Sequence, residues 1–145
     1  MGNQYTFKVY PDGMSRSVYR VIRISGKETL DTLCETIIEA FDFIHEHLYE
    51  FCMDNRMYSE FSYQSYPQDD EPSTKITLEK LHLVKGQNFL LHYDFGDDWM
   101  FMIHVQKIES ETQRSAPAVL KGKGGIEQYP SWDDEWGEDD EDGES

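Results

Sequence analysis

Tyr93-Asp94-Phe95-Gly96-Asp97-Asp98-Trp99 packs three aromatic residues, three carboxylates and one glycine between two runs that read as strands. Before it, Phe89, Leu91, Tyr93 and Phe95 alternate with Leu90, His92 and Asp94, the period of a pleated strand. After it, Trp99, Phe101, Ile103 and Val105 repeat the pattern over residues 99–108. Two such runs joined by Gly96-Asp97-Asp98 predict a β-hairpin, with Gly and Asp as the turn residues.

Working outward, residues 5–10 and 17–24 form a second predicted hairpin around Pro11-Asp12-Gly13, because Pro and Gly preset the turn dihedrals. Leu30, Leu33, Cys34, Ile37, Ile38 and Phe41 follow helical spacing, with Thr29 as the N-cap. Residues 47–53 read as a strand, with a return over residues 57–63, and Pro67, Asp69, Asp70, Glu71 and Pro72 mark an exposed acidic loop. Thr77 is placed to cap a short helix over Leu78, Leu81 and His82, closed by Gly86, and residues 118–120 suit an edge strand. The expected class is therefore α+β, a mostly antiparallel sheet of hairpins packed by one main amphipathic helix and a short second helix. Residues 1–132 are expected to form one domain.

Of the acids, nine fall in residues 133–145 without a single base, so more than half of the net charge of −16 sits there. That run lacks core-forming residues and is expected to be a disordered acidic tail. Both tail and body repel a phosphate backbone, so direct nucleic-acid binding is disfavoured and a basic protein partner is favoured. No secretory leader and no apolar run of membrane-spanning length is visible, so a cytoplasmic protein without membrane attachment is expected. Two cysteines, Cys34 and Cys52, are too few for a disulfide framework and read as small buried side chains.

Four blocks together resemble one family. They are Val18-Tyr19-Arg20; Thr29-Leu30 with Leu33, Ile37 and Phe41; His47-Leu48-Tyr49-Glu50-Phe51; and Tyr93-Asp94-Phe95-Gly96-Asp97-Asp98-Trp99. In this order they resemble the plasmid pRiA4b ORF-three-like family over about residues 5–132, small prokaryotic proteins some of which travel with mobile elements. The resemblance implies the same α+β fold and no defined activity. A resolvase role, sometimes suggested by the mobile-element link, is opposed by the acidic charge and the lack of a basic recognition helix. The family commonly carries His two residues after the motif Trp; here that residue is Phe101, so a ligand or base role at that position does not carry over.

The residues singled out for binding are Tyr93, Asp94, Gly96, Asp97, Asp98 and Trp99, with His47 and Arg20 from the earlier blocks. Turn chemistry alone accounts for Gly96, Asp97 and Asp98, and Asp94 suits a loop cap or a pair with Arg20 or Arg23. The alternative is a divalent-cation site of Asp94, Asp97 and Asp98 with His92, since clustered carboxylate oxygens suit hard cations. His45 and His47 are expected on one strand face, and His92 and His104 on facing strands, but no zinc-type spacing occurs. No nucleophile elbow or phosphate loop is present. Tyr49, Phe51, Tyr58, Phe61, Tyr63 and Tyr66 fit either a sheet core or an exposed recognition face. The reading that results is a non-enzymatic interaction or accessory module needing no cofactor, with a small metal-dependent enzyme as the alternative.

Overall fold

A computed structural model describes residues 2–128. The predicted acidic tail and the domain's last four residues lie outside them. Its strands are β1 (Gly2–Pro11), β2 (Tyr19–Ser25), β3 (Tyr49–Cys52), β4 (Ser62–Gln64), β5 (Asn88–Tyr93), β6 (Trp99–Glu111) and β7 (Ala118–Lys123), with one α-helix, α1 (Leu30–Ala40). They form one sheet in the order β4-β3-β5-β6-β1-β2-β7, and every strand-to-strand ladder is antiparallel.

The alternation read from the sequence sets the sheet's two faces. Tyr5, Phe7 and Val9 stand opposite Ile24, Ile22 and Arg20 on one side and opposite Ile108, Val105 and Ile103 on the other. Phe89 and Leu91 continue the row opposite Ile103 and Phe101. This face packs with Leu30, Leu33, Cys34, Ile37 and Ile38 of α1 into one core. Each such large side chain contributes about 1.5–3 kcal/mol on burial. Thr29 opens α1 by accepting the Thr32 N–H (3.2 Å), so one orphan donor of the first turn is satisfied.

The α+β expectation is corrected here: the fold is predominantly β with a single helix. β6 alone, at 13 residues, is longer than the 11-residue α1. The predicted second helix is one 3-10 turn, Leu78–Leu81. Its first amides are taken from outside, Leu78 N–H by Glu28 O (2.8 Å) and Glu79 N–H by Gly26 O (2.9 Å). His82 then swings to φ 55 and stops it. A segment whose donors bond the preceding loop gains little by extending into a helix.

The two sheet edges differ in cover. β4 is three residues long, and Pro72 O and Thr74 N–H bond Gln64 on its outer side. β7 carries Lys121 and Lys123 and a register shift against β2 at Val21/Ile22, features that discourage pairing with the same edge of a second copy.

Arg20 locks β2 to the end of α1. Its guanidinium lies over the Phe41 ring at 4.7 Å and donates to the carbonyls of Ala40 (2.9 Å), Tyr19 (2.8 Å) and Lys123 (3.0 Å). A cation at this helix end also opposes the macrodipole. Arg20→Lys keeps the charge but loses the planar fork and stacking. It is expected to cost about 1–2 kcal/mol, measured as a lower urea midpoint with an unchanged m-value.

Candidate functional site

The β5–β6 connection is a five-residue bend, not the three-residue turn read from the sequence. Asp98 N–H bonds Asp94 O (2.6 Å), and the left-handed positions fall to Asp94 (φ 68) and Asp98 (φ 53). Gly96 has no such φ. Asp tolerates that region better than most residues. The Asp94 carboxylate accepts the N–H of Gly96 (3.0 Å) and of Asp97 (3.4 Å), and its other oxygen lies 3.6 Å from His47 Nε2. Leaving the strand at Asp94 also moves Phe95 off the face it was predicted to share with Tyr93: its ring packs on His92 at 4.9 Å.

Tyr93 anchors the other side of the bend. Its hydroxyl donates to Ile44 O (2.6 Å) and accepts the N–H of Glu46 (2.9 Å) and His47 (3.3 Å). Trp99 packs edge-on against Phe43 at 4.9 Å, and Phe101 is fully buried beside Phe41 and Phe43. Arg20 caps α1 and forms no pair with Asp94; Asp97 is exposed.

The centre of the site is a polar chain through His92, which has no exposed surface. Nδ1 is 2.7 Å from Glu50 Oε2, and Nε2 is 2.6 Å from Asp98 Oδ1. Glu50, itself 1% exposed, also accepts the Tyr58 N–H (2.7 Å) and the Gln64 side-chain N–H (2.8 Å). Tyr58 and Phe95 close over the imidazole at 5.0 and 4.9 Å. Burial pulls the His92 pKa down, but the hydrogen bonds and charges of Glu50 and Asp98 outweigh it and hold it above its ordinary value. Burial likewise pushes Glu50 up, and the bonds from His92, the Tyr58 amide and Gln64 overcome it and hold the carboxyl low. Glu50 and Asp98 thus both favour the protonated form of the ring buried between them.

Of the sequence candidates, His92 and Asp98 meet; Asp94 and Asp97 make their contacts elsewhere. Glu50, inside the third family block, was missed, because its pairing with His92 is a register fact between β3 and β5. The one available signal was an acid flanked by Tyr49 and Phe51 in a strand buried on both faces. His104 bonds Asn88 at 2.7 Å, at the far end of β5 from His92, which faces Met100. His45 and His47 precede β3 instead of sharing its face. Among the described residues no three His, Cys, Asp or Glu side chains are grouped as a metal site would need, and no helix is long and apolar enough to cross a membrane. Both cysteines are buried and unpaired, and burial pushes Cys52 up to about 12.

Beside this chain lies a pocket of about 320 Å³ lined by Leu48, Gln64, Ser65, Tyr66, Gln68, Glu71 and Phe95. Two of its walls belong to the polar network: Gln64 bonds Glu50 and Phe95 covers His92.

The chain belongs to the family described as plasmid pRiA4b ORF-3-like protein, whose match covers residues 3–129. A solved structure of a protein of unknown function from Methanosarcina mazei Go1 is similar at a TM-score of 0.71 and 24% identity, over 87% of this chain and 73% of that one. At that identity the likeness concerns the fold. No curated protein matches.

The two shifts oppose each other in pH. His92, raised above 6.5, contributes stability in full below that pH and loses it as pH rises through the higher folded-state value. Glu50, lowered from 4.5, contributes in full above that pH and loses it as pH falls through its folded-state value. The stability difference between the wild type and His92→Gln is expected to peak between these limits and shrink on the alkaline side. Urea unfolding across pH measures it; a difference that stays constant into the alkaline range contradicts the assignment.

Proposed function

We propose that this family member is a non-enzymatic protein-interaction module, and that the pocket between Leu48 and Phe95 takes a partner segment carrying an apolar or aromatic residue beside a basic one. The observation that carries this reading is the set of large exposed side chains in the segments flanking β3 and β4, at the sheet's edge. Tyr58, Phe61 and Tyr66 are 63%, 59% and 70% exposed, with Leu48 also open to solvent. The sequence cluster of aromatics is thus divided: Tyr49 and Phe51 are core, while these three face outward. Exposed apolar groups with a polar rim characterise interaction surfaces, and Tyr is favoured at binding hot spots.

The rim supplies the charge preference. Glu71 lines the pocket, and Asp69 and Asp70 stand exposed in the same loop. With a net charge of −16, the chain attracts basic segments. The network beneath serves as a foundation: Gln64 and Phe95 are held by Glu50 and His92, so less ordering is required on binding. The engagement of both His92 nitrogens supports this reading over acid–base catalysis, which needs a nitrogen within reach of substrate.

Selection of random displayed peptides against the full chain tests the reading. Enriched sequences are expected to pair an aromatic or aliphatic residue with Lys or Arg. A synthetic copy of the strongest is expected to bind Tyr66→Ala or Tyr58→Ala about tenfold or more weakly, and Glu71→Gln more weakly than wild type. Unchanged affinity in both tyrosine variants removes this pocket as the binding surface.

A further inference from the structure

At the opposite end of the sheet, β7 is bonded to β2 on one side and has no strand on the other among the described residues. Its apolar residues are not hidden: Val119 and Leu120 are both about half exposed. Between β7 and α1 runs a groove of about 430 Å³ lined by Thr32, Glu35, Thr36, Glu39, Ala40, Pro117 and Val119. An open edge beside a groove is the geometry by which an extended peptide joins a sheet, its main chain bonding the edge and alternate side chains entering the groove.

Charge decides the occupant. Glu35 and Glu39 are exposed, one turn apart on α1, and form no ion pair among the described residues. Like charges at this spacing destabilise a helix, and nothing in α1's last turn is basic to offset them. On the sheet's other face, Lys121 and Lys123 stand opposite Val21 and Tyr19. A second copy paired edge to edge about a two-fold axis normal to the sheet would set its lysines beside these lysines and leave Glu35 and Glu39 unanswered. It would also bring together two chains of net charge −16. We infer that the β7 edge accepts an extended segment of a different protein as an eighth strand, with basic residues at alternate positions reaching Glu35 and Glu39 and uncharged or acidic residues between them facing Lys121 and Lys123.

The probe is a decapeptide of alternating lysine and threonine, titrated into the full chain while amide hydrogen exchange is followed over residues 118–123. Exchange there is expected to slow on addition of peptide. The double variant Glu35→Gln/Glu39→Gln is expected to need about three- to tenfold more peptide for the same protection, at a melting temperature no lower than that of the wild type. The idea is overturned by unchanged exchange over residues 118–123. It is equally overturned by the same protection from a peptide with N-methylated backbone amides, which reports charge attraction alone. Protection of β7 on concentrating the chain without peptide assigns the edge to a second copy and also overturns it.

Discussion

Placing His92 where water cannot reach it commits the protein to neutralising it on both sides. An ionised imidazole without partners is costly to bury. Glu50 answers from β3 and Asp98 from the β5–β6 bend, so one ring fixes β5 and the bend that follows it to a strand 42 residues earlier in the chain. Around it, Tyr58 and Phe95 exclude solvent, and Gln64 and the Tyr58 amide complete Glu50's bonding. Asp94 shapes the bend so that Asp98 arrives at Nε2. The aromatic motif is thus a scaffold around a buried polar chain, and its outer surface inherits that order.

What could be read in the chain followed from period and turn chemistry. The alternation from Phe89 to Tyr93 and from Trp99 to Val105 reported β5 and β6, and the Leu30-to-Phe41 spacing with Thr29 reported α1 and its cap. The short second helix failed because propensity counts only local bonds, whereas Leu78 and Glu79 donate to carbonyls of the loop at Gly26 and Glu28. Strand ends drifted where tertiary pairing extended them, as in β6, which runs on to Glu111 because β1 reaches back to Gly2.

The site was half legible for a related reason. His92 and Asp98 lie six residues apart across one bend and both attracted notice. Glu50 reaches His92 only because β3 inserts beside β5 in a register that no local pattern announces. Similarly, the aromatics between Tyr49 and Tyr66 share a composition but not a fate: β3 carries its members into the core, while the irregular segment before β4 leaves Tyr58 and Phe61 in solvent. Side-chain type was visible; the face on which it lands was set by neighbours distant in sequence.

The position of β1 has a consequence for how the protein is made. Of the described strands, the first to leave the ribosome lies near the middle of the sheet, and its longest ladder is with β6, pairing Gly2 with Glu111. Contacts of such span cannot form until almost the whole described chain has emerged, and non-local ladders of this kind close slowly. During synthesis the apolar face of the β1–β2 hairpin, with Phe7, Ile22 and Ile24, stays uncovered along one edge, a target for chaperones or for other nascent chains.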